Sequence, residues 1–182
     1  MRAHLRGASQ KRAAALLPLF SHVNKSALRT AILAQLRAEL ALQAGAARLA
    51  RDEATSEESR PESKYDTHSQ EAAYLAEGQA RLAGEIETSL AHYAAMPLPD
   101  FSGGAPIALG ALVELESRGK ASWYFLGPRA GGLELAVDGR KILLLTPQSP
   151  LGRQLLGQKN GGTVRLAGRG GAPVEHRIAA VF

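Results

Sequence analysis

Two long stretches of the chain have apolar residues that recur every three or four positions, the spacing of a single stripe along an α-helix. The first stretch spans about residues 25–55, and the second spans about residues 61–93. The two stripes consist of Leu33, Leu36, Leu40, Ala47 and Ala50, and of Leu75, Gln79, Leu82, Ile86, Ser89 and Tyr93. Stripes this narrow are typical of a coiled-coil seam, and two such helices with a short connection pack antiparallel. The spacing therefore predicts a helical hairpin over residues 24–96, with arms about 45 Å long.

The connection between the two arms, the tip of the hairpin, is rich in carboxylates. Residues 59–62, Ser-Arg-Pro-Glu, form a capping box with proline in the first helical turn, which indicates the start of the second helix. Residues 67–70 are a competing start signal. From the earlier start, Glu62 and Asp66 lie four residues apart on one face, where their carboxylates can hold a divalent cation. Glu57 and Glu58 are secondary candidates. The alternative is a solvated acidic turn in which Glu62 only caps its helix.

The charge of the chain changes sign twice along its length. Residues 1–50 carry eight Lys or Arg and one acid, residues 51–100 carry four and eleven, and residues 101–182 carry ten and five. The basic regions favour an anionic partner, either nucleic acid or an acidic protein surface. The chain has no cysteine, which excludes disulfides and thiolate metal sites and favours a reducing compartment. No apolar run reaches the roughly 20 residues of a membrane span, so no membrane partner is expected.

Residues 97–106, rich in proline and glycine, predict a linker, and the periodicity then changes from helix to strand. Turn residues such as Asp138-Gly139 separate six strand-like runs, at 112–115, 122–126, 133–137, 141–146, 163–167 and 174–181. One helix interrupts them, with Ser149 as its N-cap, Pro150 at its first position and Gly157 at its end. The predicted fold class is α+β, with an N-terminal antiparallel coiled-coil hairpin and a C-terminal β-sheet domain over residues 107–182 that contains one short helix. Residues 1–23 are expected to be a poorly ordered extension.

The segment around this short helix resembles a known signature. Residues 149–159 are Ser-Pro-Leu-Gly-Arg-Gln-Leu-Leu-Gly-Gln-Lys, which is similar to the S-P-L-G-x-A-L-L-G-K signature of the C-terminal domain in GreA/GreB transcript cleavage factors. The strand before it, the glycine-rich turn and strand after it, and the order of hairpin before sheet also match. The resemblance covers about residue 24 to the C-terminus. It implies an FKBP-like C-terminal domain that docks beside the secondary channel of bacterial RNA polymerase, with Ser149, Pro150, Leu151 and Gly152 as docking residues.

The resemblance further implies a cytoplasmic transcription elongation factor that is not itself an enzyme. Its hairpin would enter the channel, and Glu62 and Asp66 would help to hold a Mg²⁺ shared with the polymerase, close to the nascent RNA. The polymerase would then hydrolyse backtracked RNA, since a second metal ion can activate and orient the attacking water. The chain has no cofactor of its own in this interpretation.

The tip departs from the D-L-x-E-N form of that family. Residues 61–66 are Pro-Glu-Ser-Lys-Tyr-Asp, so Glu62 stands at the family's Asp, Tyr65 at its Glu, and Asp66 is one position away. A non-cleaving regulator that occupies the channel is therefore the alternative. Two further hypotheses are a prolyl isomerase, on fold analogy alone, and nonspecific nucleic-acid binding by the basic residues 1–23.

Overall fold

The computed structural model describes residues 24–55, 68–101, 103–168 and 171–182. Two long helices come first, α1 (Lys25–Thr55) and α2 (His68–Ala95). They are followed by β1 (Leu112–Ser117), β2 (Lys120–Leu126), β3 (Glu134–Val137), β4 (Arg140–Leu145), the short helix α3 (Pro150–Leu155), β5 (Thr163–Ala167) and β6 (Pro173–Val181). The predicted α+β class is confirmed, and every predicted strand agrees with the observed one to within two residues.

The two long helices form an antiparallel hairpin. Asn24 caps α1, because its side-chain oxygen accepts from the backbone N–H groups of Ser26 at 3.0 Å and Ala27 at 3.1 Å. Arg29, in the first turns of α1, donates to the carbonyl oxygen of Met96 just beyond α2, at 3.3 Å. The start of one helix therefore lies beside the end of the other. The helical residues buried between the arms and against the sheet are Leu28, Ile32, Leu36, Ala47, Ala50, Ala76, Ile86, Ser89 and Tyr93.

The seam predicted for α2 is wrong at two positions. Leu75 and Leu82 are exposed, whereas Ala76 is buried in place of Leu75. The predicted seam has a period of 3.6 residues, since Leu75 and Tyr93 are 18 residues, or five turns, apart. The less exposed residues of α2 instead follow two heptad series, Ala76-Ala83-Leu90 and Gln79-Ile86-Tyr93, so the buried stripe has the 3.5-residue period of a supercoiled helix pair. The hairpin therefore presents leucines to solvent near its tip.

The six strands form one mixed sheet in the order β3-β4-β2-β1-β6-β5. Strands β2 and β4 are parallel, and every other neighbouring pair is antiparallel. The turn between β3 and β4 has positive φ angles at Asp138 (51°) and Gly139 (72°), as a two-residue hairpin turn requires. Helix α3 joins β4 to β5, so the predicted interruption of the strands by one short helix is confirmed.

Both faces of the sheet are covered by apolar residues. On one face, Leu112, Phe125, Val137, Ile142 and Leu144 share a core with residues of α1 and α2. On the other face, β-sheet residues pack with Leu151 and Leu155 of α3 and with Phe101 and Ile107 of the connecting segment. The base of the hairpin and the sheet therefore form one packed unit. The FKBP-like topology and the division into domains at residues 97–106 stay predictions.

Within the described part of the chain, neither long helix is apolar enough over its length to span a membrane.

Candidate functional site

The acidic tip lies outside the described residues. Glu57, Glu58, Glu62 and Asp66 all belong to residues 56–67, so their role as tip carboxylates and metal ligands stays a prediction. Among residues 24–55, 68–101, 103–168 and 171–182, no group of three or more His, Asp or Glu side chains could hold a metal ion. The interpretation of the tip therefore rests on its sequence.

Helix α3 shows how the signature segment is built. The hydroxyl oxygen of Ser149 accepts from the backbone N–H of Gly152 at 3.0 Å, and the hydroxyl donates to the carbonyl oxygen of Thr146 at 2.8 Å. Pro150 occupies the first helical turn, where no backbone N–H is needed. Ser149 thus closes the turn between β4 and α3 with two hydrogen bonds, as the sequence predicted for an N-cap.

Gly152 is required by close packing. A Cβ at this position would lie 1.9 Å from the carbonyl oxygen of Thr146, and Gly152 is itself buried. Leu151 is also buried, and it packs in the core beneath the sheet. The side chain of Leu151 therefore faces the interior, and Ser149 and Gly152 hold the turn together. Ser149, Leu151 and Gly152 can therefore serve the predicted polymerase docking only through the shape of this turn, and not through direct side-chain contact.

The surface that this turn presents consists of neighbouring residues that no sequence motif indicated. Pro150, Gln148, Arg153 and Gln154 are exposed. Arg153 donates to the carbonyl oxygen of Gln148 at 2.8 Å, which fixes its side chain across the turn. The helical period is the signal that indicates them, because Arg153 and Gln154 lie on the side of α3 opposite to the buried Leu151 and Leu155.

Gln154 joins the exposed side of α3 to the edge strand β5. Its side-chain oxygen accepts from the backbone N–H of Arg165 at 2.9 Å, and its side-chain nitrogen donates to the carbonyl oxygen of the same residue at 3.0 Å. These two hydrogen bonds resemble those that a further strand would make with β5. They pair the backbone N–H and carbonyl oxygen of one residue at the edge of the sheet. The exposed side of α3 is thus attached to the sheet by two hydrogen bonds.

A second set of contacts fixes the hairpin on the sheet. Tyr93 of α2 is fully buried, and its hydroxyl donates to the carbonyl oxygen of Arg129 at 2.6 Å. Burial raises the pKa of the Tyr93 hydroxyl above its ordinary value. Arg129 in turn donates from Nε to the hydroxyl oxygen of Ser89 at 3.3 Å. The sequence placed Tyr93 in the helical seam, and no local signal indicated its contact with the loop after β2.

Lys25 makes a matching attachment at the start of α1. Its ammonium group donates to the carbonyl oxygens of Pro99 and of Gly110, the latter at 3.2 Å, and lies 5.0 Å from the ring centroid of Phe101. Burial lowers the pKa of Lys25, and the nearby Asp100 opposes this shift. The base of the hairpin is therefore held at both arms, by Lys25 in α1 and Tyr93 in α2.

A cleft of about 650 Å³ opens where the hairpin leaves the sheet. The hairpin contributes Leu36, Glu39, Gln43, Leu82, Glu85, Ile86 and Ser89, and the sheet side contributes residues 128–131, Leu133 and Gln148. The walls are mixed in character, with apolar side chains, two carboxylates and one guanidinium. The cleft therefore lies between the sheet and the part of the hairpin that extends beyond the sheet. We call this part the free part of the hairpin.

No family model and no curated protein matches this chain. Solved structures do match it. They include GreA factor homolog 1 (Gfh1) of Thermus thermophilus, with 19% identity over 85% of this chain and 94% of that one and a TM-score of 0.34. Thermus aquaticus Gfh1 has 20% identity over 87% and 95% of the two chains and a TM-score of 0.36.

A GreA/GreB elongation factor from Nitrosomonas europaea also matches, with 18% identity over 62% of this chain and 91% of that one and a TM-score of 0.34. The chain is similar to Gre-type proteins. Because the TM-scores lie below 0.5, these matches do not decide the function of the chain, which has to be argued from its own residues.

Proposed function

We propose that this protein binds RNA polymerase as a Gre-type transcription factor, with its hairpin entering the secondary channel and its sheet domain docked beside the channel. The observation that carries the proposal is the signature segment at residues 149–159. It resembles the family motif in sequence, and in this chain it forms a tightly closed turn and helix on a sheet that directly follows a long hairpin. A fold alone would not support a function, but a specific motif in its expected structural context does.

The dimensions and rigidity of the hairpin support the proposal. Helix α1 has 31 residues, which corresponds to about 46 Å. Its base is buried in a shared core with the sheet, and Tyr93 and Lys25 add hydrogen bonds at each arm. A hairpin held in this way can place its tip at a fixed distance from a docking surface on the sheet domain.

In the proposed mechanism, the tip residues Glu62 and Asp66 supply carboxylate oxygens to a Mg²⁺ that is shared with the polymerase. Magnesium prefers such hard oxygen ligands and needs few of them from a protein, since it keeps several waters. Glu57 and Glu58 are secondary candidates for the same role. The protein itself performs no catalysis in this proposal, and the polymerase hydrolyses the backtracked RNA.

The alternative function is a regulator that occupies the channel without stimulating cleavage. The observation that favours it is the tip sequence, in which Tyr65 stands where the family pattern has an acid. Both alternatives require the same docking surface and the same hairpin, and they differ only in the chemistry of residues 56–67.

The deciding experiment measures RNA cleavage in a backtracked elongation complex of the cognate polymerase, with and without this protein, across a Mg²⁺ series. Under the first proposal, the protein accelerates cleavage, and Glu62→Ala or Asp66→Ala abolishes the acceleration while binding to the polymerase is kept. Glu87→Ala, at an exposed acid of α2 far from the tip, is the matched control and should leave cleavage unchanged.

Two other outcomes have definite meanings. If transcription slows, cleavage is not accelerated and other channel-binding factors are displaced, the protein is a channel-occupying regulator. If neither wild type nor the variants bind the polymerase, both proposals fail. Arg153→Glu tests the docking surface directly, because it reverses the charge of an exposed residue on α3 and should weaken polymerase binding with either tip chemistry.

A further inference from the structure

The free part of the hairpin exposes five large apolar side chains. They are Leu42 (73% exposed), Leu49 (68%), Tyr74 (73%), Leu75 (55%) and Leu82 (41%). Together they form what we call the apolar face. Single exposed leucines are ordinary on protein surfaces, but a cluster of large apolar groups on one element marks an interaction site.

Helical geometry places these residues on one side of the hairpin. Leu82 lines the cleft together with Glu39 and Glu85, so these three residues fix the direction of that side. Leu75 precedes Leu82 by seven residues and Leu49 follows Leu42 by seven, which is two helical turns in each case. Leu42 lies three residues after Glu39, and Tyr74 lies eleven residues, or three turns, before Glu85. The apolar face therefore continues the cleft toward the tip.

The surface between these side chains has room for a helix. Gly78 lies one turn before Leu82 in α2, and a Cβ at this position would have no atom within 4 Å. Two antiparallel helices with a small residue in the groove between them can accept a third helix by ridges-into-grooves packing. The spacing of seven residues along both arms matches the stripe of such a helix.

The charged residues around the apolar face determine which kind of partner helix can bind there. Glu39 and Glu85 are exposed at its cleft end. Glu71 precedes Glu85 by fourteen residues, or about four turns, and so lies on the same side of α2, as does Arg81, the single arginine of residues 68–95, four residues before Glu85. In the cleft, Arg129 donates to the hydroxyl oxygen of Ser89. We propose that the apolar face binds a basic amphipathic helix of a partner protein, with leucines on the hairpin groove and Lys or Arg side chains toward these acids.

The test uses two fluorescein-labelled synthetic peptides of about 18 residues, enough for five helical turns. Both carry the same leucine stripe, and their polar positions are lysine in one and glutamate in the other. Fluorescence anisotropy with the full chain should show that the lysine peptide binds at least about tenfold more tightly, and that its affinity falls as salt is added.

Variants of the chain locate the site. Leu42→Ser together with Leu82→Ser should weaken binding of the lysine peptide by at least about tenfold, since it removes two buried contacts from the complex. Both side chains are exposed in the free protein, so folding is preserved. Leu109→Ser, at a residue that is 42% exposed on the sheet domain, is the matched control and should leave the affinity unchanged. Glu39→Gln with Glu85→Gln should reduce the salt dependence.

Several outcomes would overturn the proposal. Equal binding of the two peptides, or insensitivity to the paired leucine variant, would exclude this face as a site for a basic helix. A dimer in light scattering that the paired leucine variant dissociates would assign the face to a second copy. Tighter peptide binding after deletion of residues 1–23 would assign it to that segment. Because no polymerase is present, these results are independent of the cleavage experiment.

Discussion

The absence of a side chain at Gly127 determines where Tyr93, and with it helix α2, can lie. A Cβ at Gly127 would lie 2.1 Å from the hydroxyl oxygen of Tyr93, which is fully buried. Relief of this contact would require movement of the ring or of the loop after β2, and interiors are packed too densely to allow this without cost. The hairpin can therefore pack against the sheet in this position only because residue 127 is glycine.

We expect Gly127→Ala to lower the free energy of unfolding by about 2 kcal/mol, the usual cost of overpacking a core. Urea denaturation measures it. In the Tyr93→Phe background the same substitution should cost clearly less, because the nearest remaining ring atom, Cζ, is 3.0 Å from the added Cβ. Equal costs in the two backgrounds would show that the hydroxyl does not limit the space at Gly127.

Tyr93 also predicts a dependence of stability on alkaline pH. Burial raises the pKa of Tyr93 in the folded protein, so the folded state keeps this proton at pH values where the unfolded chain releases it. The folded state then binds more protons, and the free energy of unfolding falls as pH rises above about 10, by at most about 1.4 kcal/mol per pH unit from this group.

The measurement compares wild type with Tyr93→Phe by urea denaturation between pH 9 and pH 11. Other lysines and tyrosines titrate in both proteins, so the difference between them isolates Tyr93. The variant should begin less stable, because it loses the hydrogen bond to Arg129, and its disadvantage should shrink as pH rises. A constant difference across this range would contradict the raised pKa.

At the scale of the helices, glycines limit the stability of the hairpin. Gly45 in α1 and Gly84 in α2 are helical, and an added Cβ would meet no atom within 4 Å at either position. A mid-helix glycine costs about 0.5–1 kcal/mol relative to alanine because it loses more backbone entropy on folding. The open surroundings mean that alanine can supply the gain without a clash.

We therefore expect Gly45→Ala with Gly84→Ala to raise the free energy of unfolding by about 1–2 kcal/mol. Thermal unfolding followed by circular dichroism checks it. Gly110→Ala is the opposing control, since Gly110 has a φ of +88° and its Cβ would lie 3.0 Å from the carbonyl oxygen of Pro97. The Gly110→Ala variant should have a lower free energy of unfolding than wild type. A higher value would contradict the explanation given for Gly45 and Gly84.

At the scale of the whole molecule, the shared core predicts cooperative unfolding. Leu28, Ile32 and Tyr93 of the hairpin pack with Phe125 and Ile142 of the sheet in one cluster. Neither part can expose its side of this cluster without uncovering the other, so both should unfold in a single transition. The fold is thus expected to behave as one unit at the base of the hairpin.

Two probes test this prediction in one urea titration. Trp123 is the single tryptophan, and it lies on β2 with its ring stacked on Phe182 at 6.0 Å between centroids. Its fluorescence reports the sheet, whereas far-ultraviolet circular dichroism reports mainly α1 and α2. The two midpoints should coincide. A sheet transition at higher urea than the helical transition would show that the hairpin unfolds on its own.

The helices and strands of this protein follow from local patterns in its sequence. Periodicities of 3.6 and 2 residues predicted both long helices and all six strands, and Ser149, Pro150 and Gly157 predicted the short helix between them. These features are local, because a cap, a turn or a repeat acts on residues that are close in the chain. The carboxylates of the tip were also found in this way, and their role stays a prediction.

The faces that those elements bury depend on how the elements pack together. Leu75 and Leu82 fitted the predicted seam and are exposed, and Tyr93 fitted the seam but reaches the loop at Arg129. The parallel pairing of β2 with β4 also had no local signal. The reason is that burial depends on which other element packs against a face, and that partner lies far away in the chain.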